Sequence, residues 1–328
     1  MRVLFVDPCC PKPYDPQVLA TEPLGGTEGT VIRVAEGLRA KGIPVTVRQH
    51  NRTEDGEHYT RFGTSYSFTP THVIVLRAPM ALYQARKQFP NAKLYLWCHD
   101  IFSGPAWAEG FKALVDTQTV PVVVSEWHKS QMYDAMRQLG CGHLSIPSRR
   151  IYNPIDDDLA PNDTKYDVNK LVFFSSPHKG LEHTLKVFEQ FQNFDDLKDM
   201  RLYIANPGYF ADHKTEQKNV INLGSLPHKD VVAHVRSALC VLHLNAVFPE
   251  TFGIVHAEAN AVGTPFLSSR MGAVGETADH PGELIDVMDP RAVIERIRQW
   301  RGGRPKVRAN PAFRLSRIVK EWVEFLSL

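Results

Sequence analysis

Short, continuous apolar runs alternate with longer stretches of helical periodicity along most of the chain. Residues 3–6, 45–47, 73–76, 94–97 and 121–124 are apolar runs of strand length, the pattern of strands buried on both faces of a parallel sheet. Between them, helical spacing appears to residue 41 (Val31, Val34, Ala35, Leu38), over 79–89, over 107–117, and again from Ser125, a side chain suited to capping a helix start. The alternation resumes at 171–174 and continues through 202–205, 220–223, 240–244 and 265–267. In this second series a helix carries Leu181, Thr184, Leu185, Phe188 and Phe191 on one face, and another spans 290–300. Two successive strand–helix series predict two α/β domains, each built on a parallel sheet. The polar, acidic, Pro-punctuated stretch 157–169 reads as the linker between them. A last helix is expected over 312–328, with Leu315, Ile318, Val319, Trp322, Val323, Phe325 and Leu326 on a broad apolar face. The Pro-rich segment 8–23 reads as a long loop, and 51–70 as irregular.

Length agrees with two domains: 328 residues is about twice an ordinary domain. A formal charge of +2 argues against nucleic acid or anionic lipid as the default partner. No run approaches the roughly 20 apolar residues of a membrane-spanning helix, and the first residues read as a strand rather than a signal peptide. The five cysteines, Cys9, Cys10, Cys98, Cys141 and Cys240, form no CxxC pair and are read as reduced thiols of a cytoplasmic protein.

The candidate chemistry concentrates in residues 248–269. Glu250 and Glu258 bracket seven residues; between them Gly253 opens a helix whose Ile254, Ala257, Ala261 and Val262 fall on one face, and Gly263 ends it. A loop, a glycine and a fresh helix start leave amides free for an anion, while a carboxylate on that helix can accept from sugar hydroxyls. The plain alternative is an ordinary αβ unit with solvated glutamates. Gly25, Gly26 and Thr27 before the first long helix form a second candidate anion cradle, or simply a tight turn. His99 and Asp100 end a strand, where open α/β sheets hold ligands, although a structural His–Asp pair would look the same. Lys179 and Gly180 start a helix after Ser175, Ser176 and His178; such a lysine is usually just solvated.

Glu250, Phe252, Gly253, Glu258, Ala259, Ala261, Gly263 and Pro265 together resemble the E-x7-E motif of retaining GT-B glycosyltransferases, especially the large family 4. The resemblance spans nearly the whole chain and is strongest in the second half. It implies two Rossmann-like domains facing across a cleft: an N-terminal, acceptor-side domain (1–160), a C-terminal, donor-side domain (161–310) and a last helix (311–328) packing back on the first. The implied reaction moves a sugar from a UDP- or GDP-sugar to an acceptor hydroxyl with retention. Glu250 would grip the transferred sugar, Glu258 the ribose, and Lys179 the diphosphate. Gly26, Thr27 and the amides of Thr251, Phe252, Gly253 and Ile254 would approach the donor, and His99 would contact the sugar or orient the acceptor. The arginine usual after the strand is absent, with His178 a possible replacement. Ala273 stands where the loop 270–276 would carry a second glycine. No bound metal and no other cofactor is expected. Two readings of the same fold stay open beside it, a non-catalytic sugar-nucleotide binder and a nucleotide-sugar epimerase. The acceptor stays open among a glycan, a lipid-linked sugar, a small molecule and, less in keeping with the charge, a nucleic acid or protein.

Overall fold

A computed structural model describes residues 1–65, 67–206 and 215–328. The chain divides into two compact units. The first comprises 1–15, 27–154 and 315–328; the second comprises 16–26 and 155–314. Among the described residues the first unit holds a seven-stranded sheet, paired in parallel throughout. In chain order its elements begin with β1 (Val3–Asp7), after which α1 (Pro16–Thr21) makes an excursion into the second unit. Then come α2 (Gly26–Ala40), β2 (Val45–Gln49), β3 (Tyr59–Arg61), β4 (His72–Leu76), α3 (Ala81–Gln88), β5 (Lys93–Trp97), α4 (Ala106–Asp116), β6 (Thr119–Val123), α5 (Glu126–Gln138) and β7 (Arg149–Arg150). The strand order is β3-β2-β1-β4-β5-β6-β7, so the winding reverses between β1 and β4.

Side chains alternate along each strand, and the two faces of this sheet have different covers. Leu4, Val73, Val75, Leu94 and Leu96 join one core with Leu82, Phe111, Leu114 and Met132 of α3, α4 and α5. The opposite parity, Tyr95 and Trp97, meets the last helix described below. Ser125 caps α5 as the sequence suggests, accepting from the amide of His128.

The second unit continues with β8 (Asp167–Phe173), α6 (Leu181–Glu189), β9 (Arg201–Asn206), β10 (Val220–Ser225), α7 (His228–Arg236), β11 (Ala238–Leu242), α8 (Ile254–Ala261), β12 (Phe266–Leu267), α9 (Val274–Thr277) and α10 (Pro290–Arg301). Its described strands pair in parallel in the order β10-β9-β8-β11-β12, reversing between β8 and β11. Leu181, Leu185, Phe188 and Phe191 form the inward stripe read from the sequence, packed with Phe173, Leu202, Leu242 and Trp300. α8 departs from the one-faced helix expected: every residue from His256 to Ala261 is buried, polar ones included. Its alanines are small enough for neighbours to close on all sides, which leaves His256, Glu258 and Asn260 to find partners inside.

α11 (Leu315–Leu326) returns to the first unit. Trp322 is fully buried with its ring centroid 4.9 Å from that of Trp97, and Phe325 lies 5.1 Å from Tyr95. Gly37 of α2 admits Val319, since a Cβ at Gly37 would overlap the valine methyl. The helix starts at Leu315 rather than near 312 because Pro311–Phe313 forms a separate single turn, capped by Asn310.

Candidate active site

In open α/β sheets the loops after the two strands flanking the reversal diverge and leave a crevice for ligands. In the second unit those strands are β8 and β11. Lys179 follows the first and Glu250 the second. Their side chains meet: Nζ of Lys179 lies 2.8 Å from Oε2 of Glu250. Glu250 is buried, and its other oxygen, Oε1, has no hydrogen-bond partner. Burial pushes this carboxyl up, but Lys179 first, then His243 and His178, outweigh burial and hold it below the usual glutamate range. The pair is therefore ionised at neutral pH, with one carboxylate oxygen free to accept a hydroxyl.

Two glycines make this approach possible. Gly180 has φ +91°, and a Cβ there would come within 2.7 Å of Cα of Asn245 and 2.8 Å of the Leu244 carbonyl. The lysine loop thus lies directly on the chain leaving β11, where Thr184 Oγ1 accepts from the Leu244 amide. Gly272, φ +73°, does the same for Glu250: its main chain bridges that of Glu250, and Ala273 N–H donates to the Glu250 carbonyl at 2.8 Å. The loop 270–276 therefore supports the glutamate through its backbone. Asn245 sets the turn before Glu250, accepting from the amides of Val247 and Phe248 and donating to the Phe248 carbonyl.

Gly253, φ +89°, is the left-handed residue that starts α8. Phe252 beside it is buried edge-on against Phe313, 5.0 Å between centroids, which anchors the helix start. Ile254 opens α8 and lies 3.3 Å from where a Cβ of Gly26 would stand, and Thr251 is half-buried in the turn before. Glu258, one turn on, is bonded to Nε2 of His228 at 2.8 Å. His178 packs edge-on to Phe248, 5.4 Å between centroids; burial, then the neighbouring Lys179, lowers its pKa.

The remaining candidates stand in the first unit. Thr27 is the second residue of α2. His99 follows β5, buried with its ring 4.8 Å from Trp97. Burial, then the charges of Arg77 and His128, keeps it neutral, far below the usual histidine range. Asp100 is engaged by Arg77 rather than by His99, through Nε at 2.7 Å and Nη2 at 3.2 Å. Arg77 has φ +62°, a left-handed main chain at the carboxyl end of β4. Among the described residues no group of three His, Cys, Asp or Glu side chains is placed to hold a metal ion, and no helix is long and apolar enough to cross a membrane.

Sequence reasoning passed over His228, His243 and His256. The last two form a buried contact, Nδ1 of His243 to Nε2 of His256 at 2.8 Å. A polar residue inside the apolar run 240–244 was the signal available for His243.

The fold and the family evidence agree. Residues 162–310 match the family described as Glycosyl transferases group 1. No curated protein matches the chain in sequence. Among solved structures it resembles an α,α-trehalose-phosphate synthase (UDP-forming) from Burkholderia xenovorans, over 100% of both chains, with 9% identity and a TM-score of 0.69. It also resembles TarM (TM-score 0.55, 14% identity, 78% of this chain) and the pneumococcal O-GlcNAc transferase GtfA (0.58, 13%, 79%). The chain spans 51% of TarM and 57% of GtfA. At these identities the structural likeness is one of fold, and that fold is GT-B. Together the family match and the fold support a glycosyltransferase enzyme.

Proposed function

We propose that the chain is a retaining glycosyltransferase that takes a sugar from a UDP- or GDP-sugar and transfers it to an acceptor hydroxyl. The observation that carries this reading is the Lys179–Glu250 pair at the strand reversal of the second sheet, with Oε1 of Glu250 buried and unbonded. A diphosphate fits such a place. The first amides of a helix lack intrahelical acceptors, and an ammonium beside them adds charge where the leaving group becomes negative. Lys179 and the amides around Ile254 would take the diphosphate. Oε1 of Glu250 would accept a hydroxyl of the transferred sugar, and Glu258 the ribose in exchange for His228. In the reaction the bond from the anomeric carbon to the diphosphate breaks and the acceptor oxygen bonds to that carbon. The acceptor proton leaves with the nucleoside diphosphate. No metal or other cofactor enters this scheme. His99 is proposed to face the acceptor side, as a neutral hydrogen-bonding group rather than a general base. The UDP and GlcNAc bound to GtfA and the UDP-forming activity of the trehalose-phosphate synthase are consistent with this donor class.

The test is release of UDP or GDP from a panel of nucleotide sugars with candidate acceptors. Glu250→Ala and Lys179→Ala should each abolish release while the protein stays folded. Full activity in both would reject the assignment. The absent arginine keeps one rival in play, a non-catalytic binder; tight donor binding with neither hydrolysis nor transfer would select it.

A further inference from the structure

The first unit holds a cavity that takes no part in the scheme above. Its volume is about 290 Å³, and it is walled by the first turn of α5, the edge strand β7 with the residue before it, and one face of α11. Arg317, Glu321 and Glu324 recur at i, i+4 and i+7, so they share that face of α11, while Ile318, Val319 and Trp322 are buried on the other. Every described residue lining the cavity is charged or a serine. Such a wall gives an acyl chain or an aromatic ring nothing to bury against, so its occupant is small and polar.

The charges do not cancel. Arg150, stacked 4.2 Å from the ring of Tyr152, reaches Glu126 through Nε at 3.0 Å and Oε2 of Glu321 through Nη1 at 3.5 Å. Arg317 takes the other oxygen of Glu321 at 3.3 Å, so both oxygens of this buried carboxylate are engaged. Glu324 faces Lys320 of its own helix at 3.8 Å. Each acid of the wall therefore has a cation of its own. Lys129 and Arg149 are left over: among the described residues, neither side chain makes an ion pair or a hydrogen bond. Arg149 only lies over Phe325, 5.9 Å from its centroid. Two positive charges thus remain in excess on one concave wall, beside Ser148, whose hydroxyl meets that of Tyr133 at 3.0 Å. Like charges held together in this way repel one another, and a dianion between them removes the repulsion.

We infer that this cavity is a binding site for a small soluble phosphomonoester, with Lys129 and Arg149 as partners of its dianionic phosphate and Ser148 as a further hydrogen-bonding group. A phosphate has oxygens enough for an ammonium, a guanidinium and a hydroxyl at once. Alone it would leave most of the cavity to water, and the organic part of the ester shares that space. The inference is independent of the donor-site reading, because Lys179 and Glu250 belong to the second unit.

Titration calorimetry at low ionic strength tests it, with glycerol phosphate as the monoester, inorganic phosphate as the free ion and dimethyl phosphate as a singly charged diester. Glycerol phosphate should bind saturably and more tightly than inorganic phosphate. Lys129→Met and Arg149→Met keep the apolar stem and remove the charge, and each should weaken binding about tenfold. Glu324→Gln removes an acid from the wall and should tighten it. Dimethyl phosphate should bind at least about tenfold more weakly than the monoester. No saturable heat with glycerol phosphate up to about 10 mM overturns the site. Undiminished binding in the folded Lys129→Met, Arg149→Met double variant places any phosphate elsewhere and overturns it too. Equal affinity for dimethyl phosphate rejects the dianion, and tighter binding of inorganic phosphate rejects the monoester.

Discussion

Replacing Gly272 by alanine is the sharpest test of how Glu250 is held. The residue has φ +73°, where an L side chain costs roughly 1–2 kcal/mol. Its new Cβ would stand 2.5 Å from the Glu250 nitrogen and closer still to the carbonyl oxygen; ordinary contacts begin at 3.4 Å. Main-chain atoms cannot rotate aside, so the loop and Glu250 must separate by about 1 Å, and a shift of that size can cost on the order of a hundredfold in rate. The expected result is Gly272→Ala protein that folds, melts a few degrees lower and releases nucleoside diphosphate about two orders of magnitude more slowly. Gly275, three residues on, is the control: nothing lies within 4 Å of a Cβ built there. The assay is initial-rate release of UDP or GDP, with urea unfolding in parallel. Wild-type turnover in Gly272→Ala, or equal damage in Gly275→Ala, would refute the argument that main-chain contact places the glutamate.

Three further outcomes follow from the structure. Lys179→Met strands a buried carboxylate and should destabilise the fold by about 2–4 kcal/mol at pH 7, read by urea unfolding. Because the folded pKa of Glu250 lies below its unfolded 4.5, the wild-type contribution is present above pH 4.5 and lost as pH falls through the folded value; in Lys179→Met that acid-side loss should disappear. His128 is held down to about 4 mainly by burial, so its contribution is present above its unfolded 6.5 and lost as pH falls towards 4; His128→Gln should flatten stability over that window by about 3 kcal/mol in the same assay. Gly37→Ala gains helix propensity but overlaps Val319, so it should lower the melting temperature, and Gly37→Ala with Val319→Ala should recover it; a stabilised single variant would contradict the close packing of α2 on α11.

Most of the parallel strands were legible because they are buried on both sides and therefore read as unbroken apolar runs; β10, half-buried and interrupted by Asn222, was legible from its apolar residues alone. β3 and β7 were not, the first being three residues with one aromatic and the second two arginines. α1 hid inside a Pro-rich stretch, where its buried face is too small to leave a period; none of its residues is buried. At the site, Glu250 and Lys179 could be named because a glycine and a helix start accompany each. Their contact, 71 residues apart, depends on the strand order, which local pattern does not encode. The histidine pair was invisible for the same reason, each ring looking like an isolated polar residue until the fold set it against the other.

The path of the chain has a consequence for the order in which the protein can be assembled during synthesis. The helix carrying Trp322 belongs to the first unit, yet it leaves the ribosome only after all of 155–314. Until then the sheet face bearing Tyr95 and Trp97 lacks its cover, and a nascent chain stalled before residue 315 would present those aromatic rings to solvent and to chaperones.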